Sequence, residues 1–208
     1  MISVPMYDIS GRALEPVEVD ETLLGGRVRR ALLRQIVQMY ETNRHVCTKG
    51  HLSRGQVSGS TRKIHRQKHA GIARAGQRVV PHRRGGGLAF PPNTRDISYH
   101  LPRKARKNAT RSALLARLLD NEVSLVDELR IDVPRTKTVA DMLRALDLTG
   151  RTLLVVDGDD ANVWKSGRNL AHLAVRRAAD VNAYDLLEPD RVLFTQEAFR
   201  RVLEMMGS

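Results

Sequence analysis

Thr152-Leu153-Leu154-Val155-Val156 runs directly into Asp157-Gly158-Asp159-Asp160. Five uncharged residues, mostly aliphatic and bounded by polar turns, read as a strand buried on both faces. Such a strand belongs in a parallel sheet, which needs crossover connections between its strands. The flanking sequence supplies them. Upstream, Val123 to Leu129 offers a short strand. A helix follows with Val139, Met142, Leu143 and Leu146 on one face, a Thr138/Asp141 capping pair in front and Gly150 behind. Downstream, Trp164 to His172 reads as a helix, Leu173 to Val175 as a strand and Ala183 to Leu187 as a short helix. Arg191 to Phe194 makes another strand, and Thr195 caps a last helix carrying Phe199, Val202, Leu203 and Met206. This alternation predicts an α/β fold, a three-layer domain with a mainly parallel sheet. The strand order is not readable from it.

Towards the N-terminus, Ser3 to Tyr7 predicts a strand and Asp8 to Gly11 a turn. Past Gly25-Gly26, Val28, Leu32, Ile36 and Tyr40 recur at helical spacing until Asn43 to His45. The next helical stripe is Leu114, Leu115, Leu118 and Leu119, with Asn108 as its expected N-cap. The expected division is therefore a globular domain of residues 1–45 and 108–208, interrupted by a segment of residues 46–107 without regular elements. A loop of that length inside a compact domain is functional or a misassignment. Run out and back in extended form, it has an upper reach of about 80 Å.

The charge of the chain is concentrated in this segment. Overall there are 35 basic and 23 acidic residues, net +12. Between Arg44 and Arg111 lie 17 of the bases and one acid, Asp96, so the remainder is slightly acidic at −4. A basic excursion on an acidic body is the footprint of a polyanion-binding arm. Alone, the segment has too little apolar surface to offset its ordering entropy, which predicts a floppy loop ordered by its partner. Arg103, Lys104, Arg106, Lys107 and Arg111 crowd the start of the following helix, where cations oppose its dipole. Phosphates nearby would relieve that opposition.

Other chemistries fit poorly. Gly85-Gly86-Gly87 lacks the preceding strand, the Gly-Lys-Ser/Thr ending and the following helix of a nucleotide loop, but it suits close approach of backbone N–H groups to RNA phosphates. Asp157 to Asp160 lies after a buried strand, where α/β proteins place ligands, yet has no calcium-loop spacing. A turn and a helix cap explain it. His65 and His69 share ligand spacing, with His45, Cys47 and His51 nearby, but Arg66 and Lys68 would repel a cation, so no metal and no cofactor are expected. One cysteine excludes an internal disulfide. No secretory leader and no apolar run of about 20 residues is visible. These features predict a cytoplasmic, non-enzymatic protein. A DNA-architectural protein with a basic arm and a nucleotide-dependent enzyme at Asp157 are the alternatives.

Arg54-Gly55-Gln56-Val57-Ser58-Gly59-Ser60, Arg62-Lys63, Arg66-Gln67-Lys68, Ala73-Arg74, Pro81, Arg84-Gly85-Gly86-Gly87, Phe90-Pro91 and Arg95-Asp96 occur in that order. Leu101-Pro102-Arg103-Lys104, Arg111-Ser112-Ala113-Leu114, Pro134-Arg135-Thr136-Lys137 and Arg168-Asn169-Leu170 follow. Together they resemble the bacterial large-subunit ribosomal protein L-four family over essentially the whole chain. The resemblance implies a structural role in the large subunit, binding of large-subunit (23S-type) ribosomal RNA, and action early in subunit assembly. It also implies a loop tip at the peptide exit tunnel beside ribosomal protein L-twenty-two, with no homo-oligomer and no membrane. The residues expected to contact RNA are Arg54, Arg62, Lys63, His65, Arg66, Gln67, Lys68, Arg74, Arg78, Arg83, Arg84, Gly85, Gly86, Gly87 and Arg95, then Arg103, Lys104, Arg106, Lys107 and Arg111. The expected tunnel tip is His69, Ala70, Gly71 and Ile72. Three places depart from the family's pattern. His69 to Arg74 replaces a usual Gly-Thr-Gly-Arg-Ala-Arg, Ile64-His65 replaces Pro-Trp, and Arg83 stands where tryptophan is usual. A guanidinium stacks on bases as an indole does.

Overall fold

The structure is a computed structural model and describes residues 1–207. Its strands are β1 (Ile2–Val4), β2 (Met6–Tyr7), β3 (Val17–Val19), β4 (Val123–Val126), β5 (Thr152–Val156), β6 (Leu173–Arg177) and β7 (Arg191–Thr195). Its α-helices are α1 (Arg30–Arg44), α2 (Arg103–Leu119), α3 (Thr136–Ala145), α4 (Ala161–Gly167), α5 (Ala183–Leu187) and α6 (Gln196–Gly207). By spatial clustering the chain divides into two compact units, Met1–Glu41 with His100–Ser208, and Thr42–Tyr99.

In the first unit, β5 is buried at all five positions and pairs in parallel with β6 and β7. The five-stranded sheet has the order β2-β4-β7-β5-β6, with every pairing parallel. The chain leaves β4 through α3, skips a strand position to reach β5, and later returns β7 into the gap. Side chains alternate between the two faces. Leu125, Leu153, Val155, Val192 and Phe194 enter a core with α1, α2 and α6, contacting Ile36, Ala113, Leu114, Phe199 and Val202 among others. Val126, Leu154, Val156 and Leu193 enter a second core with Val139 and Met142 of α3 and Val163 of α4. Helices therefore cover both faces of a parallel sheet, and the expected three-layer α/β class is the one observed.

Several boundaries differ from the sequence reading, each for a local reason. The predicted strand Ser3 to Tyr7 breaks at Pro5, which has no N–H to donate. Before it, β1 pairs antiparallel with β3; after it, β2 joins β4, and the Leu125 N–H donates to the Pro5 carbonyl at 2.9 Å. Helix α2 begins at Arg103 behind Pro102, not at Asn108. Its buried small face, with Ala109 and Ala113 both 0 % exposed, extends the helical packing past the leucine stripe. Helix α3 begins at Thr136, two residues before the expected cap; Asp141 faces Arg144 instead of capping. Helix α4 ends at Gly167, far short of His172. A Cβ at Gly167 would sit 2.6 Å from Val175 Cγ2, so the chain turns there against β6. Arg117 joins α2 to the end of α5, where its Nε and one terminal nitrogen each donate at 2.8 Å to the carbonyls of Leu186 and Leu187. These accept in place of the missing helical partners of a C-terminus.

Candidate nucleic-acid interface

Beyond the last residues of α1, the second unit has no helix or ladder among its described residues, yet its backbone is not free. Asn43 donates through its side-chain amide to the Tyr99 carbonyl at 3.1 Å, and its side-chain oxygen accepts from the Tyr99 N–H at 3.0 Å. Further in, the His51 N–H donates to the Pro92 carbonyl at 3.0 Å and the Leu88 N–H to the Leu52 carbonyl at 3.0 Å. The Ile64 N–H donates to the Gly76 carbonyl at 3.2 Å, and the His65 ring lies 2.8 Å from the Ala73 carbonyl through Nε2. Each contact joins residues nearly equidistant from about position 71. The segment is thus a two-limbed hairpin, cross-tied from base to tip, rather than the floppy loop that composition alone predicts. Val79 is its one fully buried apolar side chain among the described residues.

Glycine permits close backbone approach at two points, between the limbs at Gly87 and within the return limb at Gly86. A Cβ on Gly87 would lie 2.4 Å from the backbone N of Arg54, and one on Gly86 would lie 2.0 Å from the Val80 carbonyl oxygen. Neither backbone can yield cheaply, so both positions need glycine for the protein's own packing. Gly85 differs. It has open space around it and φ of +78°, leaving its backbone accessible to a phosphate. At the tip, His69 (φ +58°) and Gly71 (φ +67°) adopt the left-handed conformation that reverses the chain. His69 occupies a place where the resemblance expects glycine; histidine is among the side chains that tolerate this region. Arg66 steadies the turn by donating to the His69 carbonyl at 2.5 Å.

The cations line this frame outwardly. Arg54, Arg62, Lys63, Arg66, Lys68, Arg74, Arg78, Arg84 and Arg95 are exposed, and Arg83 is half-buried. Among the described residues, no ion pair joins Arg62, Lys63, Arg66, Lys68, Arg74 or Arg84 to a carboxylate. Gln67 accepts from Lys63, an exchange within the limb that leaves the positive charge unneutralised. In the other unit, Arg103, Lys104 and Arg106 project from the first turns of α2 into solvent, while Lys107 and Arg111 are half-buried. That first turn contains no acid and its cap makes no side-chain hydrogen bond. The buried Nε of Arg111 has no partner among the described residues. Burial pushes the Tyr40 phenol above its ordinary pKa, with the Arg106 charge opposing.

The acidic cluster after β5 is engaged differently. Asp157 accepts from Arg201 at 2.7 Å and Asp159 from Arg177 at 2.7 Å. Asp180 and Asp159 hold the Arg177 guanidinium above its usual pKa. The adjacent cleft, about 400 Å³, is bordered by Gly158, Asp160, Trp164 and Arg176. Turn and ion-pair roles account for these carboxylates. Among the described residues, no group of three or more His, Cys, Asp or Glu could hold a metal ion. Nor is any of their helices long and apolar enough to cross a membrane.

The sequence signature of the "Ribosomal protein L4/L1 family" matches residues 17–205. The chain belongs to this family. A relative from Rhodopirellula baltica, named large ribosomal subunit protein uL4, is 43% identical, the match covering 97% of this chain and 91% of the relative. Proteins of the same name from Symbiobacterium thermophilum and a Dehalococcoides mccartyi strain are 36% and 37% identical. The first match covers both chains completely; the second covers 99% of this chain and 98% of the relative. Proteins of the L4/L1 family are structural components of the ribosome, not enzymes. The matched span of residues 17–205 includes both limbs of the hairpin.

Two features of the hairpin are given no contact role by the sequence reading. The Asn43 clamp connects positions 56 apart, which no periodicity signals. Phe90 figures there only within a motif, although an isolated phenylalanine amid Gly, Pro and Arg is itself a signal.

Proposed function

We propose that this chain is a structural constituent of the large ribosomal subunit that binds large-subunit ribosomal RNA through its basic hairpin. The observation that carries the reading is the array of exposed, carboxylate-free cations on a cross-tied frame. Like charges held this closely repel one another, and a folded polyanion relieves that repulsion while releasing its counterions. Arg54 to Lys68 on the outgoing limb and Arg74 to Arg95 on the return limb neutralise phosphates. Gly85 brings backbone close to them, and the cations at the start of α2 bind RNA phosphates as well. His69, Ala70, Gly71 and Ile72 form the tip that lines the peptide exit tunnel beside ribosomal protein L-twenty-two. The protein acts as a monomer in this role and joins the RNA early in assembly, because an internally braced hairpin is most easily enclosed while the RNA is still folding around it.

Competition tests the class of nucleic acid. With labelled large-subunit ribosomal RNA bound to the full chain, unlabelled ribosomal RNA should displace it at far lower concentration than duplex DNA of equal phosphate content. Equal displacement by the two would favour a general DNA-architectural arm over this reading.

A further inference from the structure

The chain has three phenylalanines, and the structure treats them in opposite ways. Phe194 and Phe199 are 0 % and 1 % exposed and meet edge-on in the core, with ring centroids 5.4 Å apart. Phe90 is 98 % exposed. Its backbone, however, is tied on both sides. Leu88 donates to Leu52 and bridges to Ser53, while the Pro92 carbonyl accepts from His51. Between these fixed points stand only Ala89, Phe90 and Pro91, and the proline restricts the residue before it to extended conformations. The ring is thus carried on a short braced arch. Leu52 and Leu88, at 59 % and 47 % exposure, add apolar surface on the tied limbs beside it. Arg54, Arg84 and Arg95 follow or precede these residues closely along both limbs.

An apolar ring held in water gains nothing from the protein around it and loses little conformational freedom when covered. A lipid surface or a hydrophobic protein groove would also cover it, but the RNA-binding role proposed above gives the cations beside it phosphates as partners and leaves the ring facing bases. An unpaired nucleobase suits it. Its π-face stacks on phenylalanine irrespective of sequence, and the adjoining phosphates meet the arginines. We infer that Phe90 is a base-stacking residue, seating one unpaired nucleobase of the RNA between the two basic limbs. The inference rests on the RNA-binding role proposed above. It adds to that role a contact that salt does not screen.

The test is a salt titration of binding by the full chain to a large-subunit ribosomal RNA transcript, comparing wild type with Phe90→Ala, Phe90→Leu, Phe90→Tyr and Arg84→Ala. Loss of one stacked base should weaken Phe90→Ala binding about ten-fold or more at every salt concentration. The slope of log affinity against log salt should stay unchanged. Phe90→Tyr should retain affinity, and Phe90→Leu should lose most of what Phe90→Ala loses. Arg84→Ala should instead make the slope shallower by about 0.7 to 0.9. Wild-type affinity for Phe90→Ala, or full rescue by leucine, overturns the stacking role. The Arg84→Ala slope then reports separately whether the hairpin binds RNA at all. Since Phe90 packs against nothing, its variants should share the wild-type melting temperature.

Discussion

Removal of residues 60–90, with the limbs rejoined by a short Gly-Ser turn, should leave the α/β unit folded while removing most of its affinity for large-subunit ribosomal RNA. The deleted stretch carries Arg62, Lys63, Arg66, Lys68, Arg74, Arg78, Arg83 and Arg84. If each neutralises one phosphate, the log–log salt slope should become shallower by about 6. Contacts of that number weaken binding about a thousand-fold between 50 and 200 mM salt. The deletion should therefore matter most at low salt, where the wild type binds tightest. Folding should survive because neither core of the α/β unit draws a side chain from positions 60–90. Far-UV circular dichroism and a cooperative melt would check the fold, and filter binding across a salt series would check the slope. An unchanged slope would remove the hairpin from the RNA interface.

Truncation of Phe194 should do the reverse. Its ring projects from β7 into the core that α6 helps to form, fully buried against Phe199. Phe194→Ala leaves a cavity that close-packed neighbours fill only in part, costing about 3–5 kcal/mol. Since a domain is typically stable by only about 5–15 kcal/mol, this is a large share of the total. In a chain of this size it should lower the melting temperature by roughly 10 °C. RNA affinity, measured where the variant remains folded, should match wild type with the same salt slope. The same truncation at Phe90 should weaken RNA binding and leave the melt alone, so one residue type separates the two units by experiment.

The layered fold was legible because burial leaves a local trace. Thr152 to Val156 is uncharged and mostly aliphatic since helices cover both faces of β5, and Ala183 to Leu187 shows its short helix between turn residues. Where the trace is not local, the reading stops. The placement of β7 between β4 and β5 depends on a crossover that no stretch of sequence encodes. The start of α2 at Arg103 runs against local preference, since cations oppose the dipole there; it follows directly on Pro102, and the helix it begins buries Ala109 and Ala113. The basic segment was legible as a charge and as a family resemblance. Its cross-ties were not, because single hydrogen bonds between positions such as 51 and 92 leave no periodic pattern. The glycines at 85 to 87 show the same limit. Sequence reads all three for phosphate approach, and gives no sign that Gly87 also packs against the opposite limb at Ser53 and Arg54 or that Gly86 packs against Val80 of its own limb.

A large-subunit constituent held in place by its basic hairpin should stay with that subunit only while the hairpin is intact. Co-sedimentation tests this most directly, with tagged full-length chain and the 60–90 deletion expressed in cells and ribosomal subunits separated after a high-salt wash. Full-length protein should appear in the large-subunit fraction and the deleted form should be depleted from it. Full-length protein left at the top of the gradient, or deleted protein retained equally with the large subunit, would contradict this role.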